Sequence, residues 1–225
     1  MILQTKVILF DMDGVLIDSA LAVERVWRKW ALQHGVDPTH AIKQAHGRRS
    51  LETIRAIAPY MDAEQENMKV EQMEIEDKEG VTALAGAVEL LRELPSDRFA
   101  IVTSATRPLA VARLGYAGLA VPKYMVTADD VVNGKPSPEP YIQGAALLGV
   151  APADCLVFED TPAGVTAAHA AGMRVVALGN TYPAHELQAA DARVNSLLNV
   201  STKIHQETIV VELADMHAAK TCLDG

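Results

Sequence analysis

The stretch Val7-Ile8-Leu9-Phe10-Asp11-Met12-Asp13-Gly14 constrains the fold more than any other part of the chain. Four consecutive apolar residues, two β-branched and one aromatic, predict a strand buried on both faces. The run stops at two carboxylates spaced i, i+2, followed by a glycine. In extended backbone these positions point to the same side, so Asp11 and Asp13 can face one reacting group, and Gly14 lets the chain turn where the strand ends. Like charges this close repel. The pair makes sense where a divalent cation or a phosphate transition state sits between them. A solvated Asp-Gly turn is the plainer alternative, because both residues are common in turns. A calcium loop of the EF-hand type does not fit: Gly14 comes too early and the flank reads as a strand.

A chain of 225 residues, 49% of them hydrophobic, suits one large or two small folded domains. The formal net charge of −9 argues against a nucleic-acid binder. It leaves room for an anionic substrate, which needs only a local cation or two and a few backbone N–H groups. Two cysteines, Cys155 and Cys222, make no disulfide framework and point to a reduced, cytoplasmic protein. Residues 1–10 hold one lysine and a short apolar run that stops at Asp11, which is not a signal-peptide pattern. No apolar run approaches the length of a membrane span, so no membrane partner is expected.

Past Gly14 the periodicity becomes helical. Val26, Trp27, Trp30, Ala31 and His34 fall at helical spacing, Asp18 or Ser19 can cap the start, and Gly35 ends the helix. The two tryptophans read as packing residues. A short helix from Asp37-Pro38-Thr39 to about Ala45 is interrupted by His46-Gly47-Arg48-Arg49-Ser50, a loop with two arginines in an acidic protein. A helix over 51–58 follows, stopped by Pro59. Residues 63–78 read as a long charged helix with Met68, Met73 and Ile75 as apolar residues and Glu71, Glu74, Glu76 and Glu79 on or near a wet face. From Gly80 onward, helices over 84–94, 109–114, 138–148 and 163–171 alternate with strands over 100–103, 124–127, 155–158 and 175–178. A helix from His185 and late strands at 193–194 and 208–211 complete the chain.

This alternation predicts an α/β fold: a doubly wound parallel-sheet (Rossmann-like) core of residues 1–15 and 84–225, with a helical insertion, 16–83, after the first strand. In such sheets, ligands bind beyond the C-terminal ends of the strands. The residues there are Asp11 and Asp13, then Thr103 and Ser104, then Asp129 and Asp130, then Glu159 and Asp160, with Lys135 after the third strand. Two carboxylates, a hydroxyl, a cation and a further carboxylate pair are the inventory for metal-assisted phosphoryl chemistry. Singly, each has a local alternative: Ser104 as a helix cap, Gly134-Lys135-Pro136 as a turn, Asp160 and Pro162 as a helix start. The lysine is not in a Walker loop, since the earlier glycine is missing and Pro136 stands where Ser or Thr should. Occurring together at successive strand ends, the four groups are hard to dismiss.

Asp-x-Asp-Gly-Val-Leu-x-Asp-Ser over 11–19, a strand ending in Thr103-Ser104, Gly134-Lys135-Pro136-x-Pro138 and Glu159-Asp160-x-x-Ala163-Gly164 resemble the four motifs of the haloacid dehalogenase superfamily. The insertion resembles that superfamily's small α-helical cap. Shorter matches, such as Val23-Glu24-Arg25-Val26-Trp27 and Tyr141-Ile142-Gln143-Gly144-Ala145, make the chain similar to bacterial sugar and hexitol phosphatases. The resemblance implies Asp11 as a nucleophile forming an aspartyl-phosphate and Asp13 as general acid and then base. It implies Mg²⁺ held by Asp11, Asp13 through its carbonyl, and Asp160, with Glu159 supporting. Ser104 and Thr103 would meet the phosphoryl oxygens, and Lys135 would offset charge. His46, Gly47 and Arg49 would reach the substrate, a small phosphorylated sugar or polyol, from the cap loop, with Arg48 facing solvent. Asp13 argues against dehalogenation. Two alternatives stay open. One is a mutase of the β-phosphoglucomutase type, whose second-phosphate arginine would align with Ser50 here. The other is a scaffold that takes phosphate on Asp11 without turnover; the cap and Asp13 both favour turnover. A monomer closed by its own cap is expected, and the tail from about Met216 carries no assigned function.

Overall fold

In the computed structural model, which describes residues 1–214, the chain opens with β1 (Ile2–Thr5) and β2 (Val7–Phe10). A short strand β3 (Ile17–Asp18) leads into four helices: α1 (Ala20–Gln33), α2 (Pro38–Ala45), α3 (Ser50–Ile57) and α4 (Ala63–Glu76). The chain then returns through β4 (Thr82–Ala83), α5 (Ala87–Glu93), β5 (Phe99–Val102), α6 (Arg107–Tyr116), β6 (Met125–Val126) and α7 (Glu139–Leu147). It continues with β7 (Cys155–Glu159), α8 (Pro162–Ala170), β8 (Arg174–Leu178), β9 (Ala192–Val194), β10 (Val200–His205) and β11 (Thr208–Leu213).

Six strands form a parallel sheet in the order β6-β5-β2-β7-β8-β9. All four residues of β2 are buried, because helices cover both faces. Ile8 and Phe10 pack with Leu90 of α5 and Leu109 of α6, whereas Val7 and Leu9 pack with Tyr141 of α7 and Val165 of α8. Phe10 stacks on Phe158 of β7 at 5.3 Å between ring centroids. From β2 the chain builds β5 and β6 to one side and then β7, β8 and β9 to the other. The order therefore reverses at β2, and a crevice opens beyond its C-terminal end.

The helices between β3 and β4 enclose their own core, with Trp27 and Trp30 in edge contact at 5.6 Å. Its root is the antiparallel pair β3–β4, extended by Leu84 N–H donating to Leu16 carbonyl at 2.9 Å. That pairing takes up the residues expected to begin a helix at 84, so α5 starts at Ala87. In α4 the buried residues are Glu66, Val70 and Glu74, while Met68 is exposed. Glu74 is thus no part of a wet face. Both carboxylates turn inward because partners await them. Glu66 accepts from Trp30 Nε1 at 3.0 Å and lies 2.6 Å from Lys69 and 3.0 Å from His34.

Besides the two-residue strands β3 and β4, two longer strands carry no sequence signal. β1 and β10 flank β11 in an antiparallel sheet. β1 spans only four residues, and in β10 only Val200 is buried, so neither shows a usable apolar alternation. The helix expected from His185 is absent. Residues 183–190 run as successive turns, with only Leu187 and Ala190 buried, too few for a helical stripe. The tail from about Met216 lies outside the described residues. No helix among the described residues is long and apolar enough to cross a membrane.

Candidate active site

Where β2 ends, Asp11 meets two residues delivered from elsewhere in the sheet. Lys135, in the loop before α7, donates to Asp11 Oδ1 at 2.5 Å, to Glu159 Oε1 at 2.6 Å and to the Val102 carbonyl at 3.2 Å. Its side chain is 2% exposed. Burial works against the ammonium charge, but the two carboxylates outweigh it and hold the Lys135 pKa above its ordinary value. Burial pushes Asp11 up to about 7, against the pull of Lys135. Glu159, at the end of β7, has no oxygen to spare. Oε1 also receives the Tyr141 hydroxyl at 2.8 Å, and Oε2 receives the backbone N–H groups of Asp160 and Thr161 and the Thr161 hydroxyl. Burial opposes its charge, yet Lys135 and these donors hold its pKa low.

Asp160 is different. One of its oxygens, Oδ1, is buried with no hydrogen-bond partner, while Oδ2 accepts from the Thr181 hydroxyl. Asp11, Glu159 and Asp160 bring an oxygen each within 4.8 Å of one another. Burial, then the charges of Glu159 and Asp11, raise Asp160 well above the ordinary carboxylate range. Gly14 makes this approach possible: a Cβ there would lie 1.9 Å from Asp160 Oδ2. An orphaned oxygen among crowded hard carboxylates fits a divalent cation, and Mg²⁺ in particular favours oxygen donors.

Asp13 leaves the turn on the same side. Ser19 donates to Oδ1 at 2.6 Å, and Arg113 donates to Oδ2 at 2.8 Å. Arg113 and its second neighbour, Glu74, are residues that periodicity alone passes over. The available signal is a charged residue on an apolar helix face, since Leu109, Ala110, Arg113 and Leu114 are the buried residues of α6. Burial raises the Glu74 pKa, with Arg113 opposing.

The insertion closes over these groups. Asp11, Asp13, Thr103, Ser104 and Asp160 from the core and His46, Gly47 and Arg48 from the α2–α3 loop line one cavity of about 590 Å³. That size suits a small ligand. Thr103 is buried at its wall, and its Oγ1 accepts the Ala105 N–H. Ser104 Oγ donates to the Gly47 carbonyl at 3.2 Å. Gly47 has φ +72, and a Cβ there would come within 2.6 Å of Thr161 Cγ2. His46 Nδ1 lies 2.9 Å from the Ile42 carbonyl.

The two arginines exchange their expected places. Arg48 lines the cavity. Arg49 instead donates to the Val132 carbonyl at 2.9 Å and the Ala128 carbonyl at 3.2 Å, pinning the loop to the core. Asp129 and Asp130 also stay out of the cavity: Asp130 accepts from Thr127 and Arg107, and Asp129 caps the Arg107 N–H.

A family model for haloacid dehalogenase-like hydrolases matches residues 5–172, a span that includes Asp11, Ser104, Lys135 and Asp160. The chain belongs to that family. Among haloacid dehalogenase-like hydrolases it is similar to hexitol phosphatase A of Escherichia coli (strain K12), 39% identical over 216 residues, covering 93% of this chain and 100% of that one. It is 35% identical over 192 residues to glycerol-1-phosphate phosphohydrolase 2 of Saccharomyces cerevisiae, covering 80% of this chain and 77% of the relative. The crystal structure of a hydrolase from Pseudomonas syringae superposes with a TM-score of 0.76 at 28% identity, over 84% of this chain and 92% of the other. The parallel-sheet fold expected from the sequence therefore agrees with the fold of these hydrolases.

Proposed function

We propose that this hydrolase releases phosphate from small sugar and polyol phosphates in two steps through an aspartyl-phosphate on Asp11. The names of its relatives support the substrate class. The observation that carries the chemistry is Asp11 at the cavity floor, charge-balanced by a buried lysine and set beside Asp160 with its unpartnered oxygen.

In the first step an Asp11 oxygen attacks phosphorus. The bond from phosphorus to the sugar oxygen breaks, and Asp13 gives that oxygen its proton. In the second, Asp13 takes a proton from an attacking water, the bond between phosphorus and the Asp11 oxygen breaks, and phosphate leaves with both carboxyl groups restored. Lys135 offsets charge at Asp11, and Ser104 and Thr103 would meet the phosphoryl oxygens. Ser19 and Arg113 orient Asp13. Asp11, the Asp13 carbonyl and Asp160 would hold Mg²⁺, while Glu159, with both oxygens engaged, supports them through Lys135 and the Asp160 backbone. When bound, that ion would neutralise charge on the transferring phosphoryl group. The insertion, acting as a cap, excludes bulk water while leaving room for one attacking water.

The test is phosphate release from a panel of sugar and polyol phosphates, with Mg²⁺ or EDTA, for the wild type and Asp11→Asn. Turnover that needs Mg²⁺ and vanishes in the variant is expected. Conversion of a hexose 1-phosphate to the 6-phosphate without release would replace this reading with a mutase. Stable phosphorylation without turnover would replace it with a phospho-acceptor.

A further inference from the structure

The cavity wall carries a pair of opposite charges, of which only one group, Arg113 Nη1 on Asp13, is used in the phosphoryl transfer described above. Arg113 comes from α6 of the core and Glu74 from α4 of the insertion, and both line the cavity. The side chains are 6% and 7% exposed. Arg113 spends Nη1 on Asp13, but its Nη2 has no hydrogen-bond partner and stands 3.5 Å from Glu74 Oε1. A buried guanidinium normally satisfies its donors. As a mere clasp between insertion and core the pair is poorly made, because desolvating two charges is repaid only by close geometry. The clasping is done nearby by better bonds, such as the Tyr116 hydroxyl donating to the Ile75 carbonyl at 2.7 Å.

We propose that Glu74 and Arg113 form a reader for hydroxyl groups on the substrate's carbon chain. A hydroxyl both accepts and donates. Its oxygen can accept from the unpartnered Nη2 N–H while its O–H donates to the Glu74 carboxylate, and a vicinal diol can span the two side chains. Val23, Trp27 and Leu109 line the same cavity and suit the C–H faces of such a chain. A second phosphate does not suit this wall, where Glu74 and Asp13 both flank the guanidinium. The pair thus selects a neutral, polyhydroxylated chain bearing one phosphate. Because its halves come from the core and the insertion, the reader is complete only when the insertion is seated.

This inference rests on the phosphatase reading, and the experiment separates the two. Steady-state phosphate release is measured for wild type, Glu74→Leu and Glu74→Gln with sorbitol 6-phosphate and with ethyl phosphate, which has no hydroxyl on its carbon chain, and melting curves check folding. The ratio of kcat/KM for sorbitol 6-phosphate to that for ethyl phosphate is expected to fall about tenfold in Glu74→Leu, mostly through KM, as one charged hydrogen bond predicts. Glu74→Gln, which keeps the shape, should fall less and supplies the answer if Glu74→Leu does not fold. Equal losses on both substrates, or no loss on either, would overturn the reader and leave the phosphatase reading standing. Absence of release from every ester by the wild type would overturn both.

Discussion

Lys135 Nζ and Asp11 Oδ1 lie 2.5 Å apart, with the ammonium 2% and the carboxylate 8% exposed. The pair joins residues 124 positions apart, and Glu159 shares the same cation. Replacing Lys135 with Met removes the partner of two buried carboxylates at once. Breaking a buried pair by deleting one side typically costs about 3–5 kcal/mol. Urea unfolding at pH 7 should show a loss of that order, and phosphate release should fall by at least about a hundredfold. A Lys135→Met protein as stable as wild type would mean the carboxylates are not ionised together.

Gly47 and Thr161 form a close approach between the insertion loop and the core, because a Cβ at 47 meets Thr161 Cγ2 at 2.6 Å. Gly47→Ala should therefore hold the loop off the site and lower kcat/KM about tenfold. The positive φ adds roughly 1–2 kcal/mol of strain. Thr161→Ser removes the offending methyl but keeps the hydroxyl that receives the Gly164 N–H at 3.0 Å and donates to Glu159. The double variant Gly47→Ala/Thr161→Ser should recover most of the activity lost. Failure to recover it would locate the defect in the backbone and not in the contact.

The two adjacent arginines that lead into α3 should separate by kinetics. Arg48→Ala removes a cation from the cavity wall and should raise KM for phosphate esters. Arg49→Ala frees the Ala128 and Val132 carbonyls and should instead make the insertion easier to cut by limited proteolysis. If Arg49→Ala raises KM as strongly as Arg48→Ala does, the assignment of the two is wrong.

What the sequence discloses here is what sheet topology makes obligatory. A run such as Val7 to Phe10 must be buried on both faces, and in a parallel sheet the residues that end such strands must converge. The convergence of Asp11, Lys135 and Asp160 is thus legible in the sequence. Arg113 and Glu74 could not, because their partners come from separate packed units, and the charge pattern of α4 alone reads as a wet helix. The exchange of Arg48 for Arg49 has the same origin. Adjacent residues at the start of a helix diverge in direction, and which one enters the cavity depends on where the core offers free carbonyls. β10 stayed hidden because it is held by a ladder to β11 and buries a single side chain.

Glu66 gives a pH-dependent stability with a definite sign. Its hydrogen bond with Lys69, and then those with Trp30 and the charge of His34, hold its folded pKa below the ordinary value of 4.5. A lowered carboxylate pKa stabilises the fold above the unfolded value and loses that contribution as pH falls through the folded value. Wild type should exceed Glu66→Gln by about 1–2 kcal/mol in urea unfolding at pH 7. The gap should close as pH drops from about 4.5 downward. A gap that stays constant to pH 3 would show that the carboxylate's shape, and not its charge, holds α1 against α4.

Asp160 allows metal binding to be read from stability alone. Its Oδ1 is buried and unpartnered, and burial together with Glu159 and Asp11 disfavours its ionised form. Asp160→Asn removes a charge crowded by two others and should raise the melting temperature of EDTA-treated protein, by an amount equivalent to about 1–3 kcal/mol. The amide can keep the Thr181 hydrogen bond through its oxygen, so the change is close to isosteric. Mg²⁺ should then stabilise the wild type by mass action, about 2.7 kcal/mol at a hundredfold excess over Kd, and leave Asp160→Asn nearly unmoved. The two effects have opposite signs because one residue causes both: the carboxylate that destabilises the metal-free protein is the one that holds the cation. A metal-free variant less stable than wild type, or a variant stabilised by Mg²⁺ as much as wild type, would remove Asp160 from the cation site.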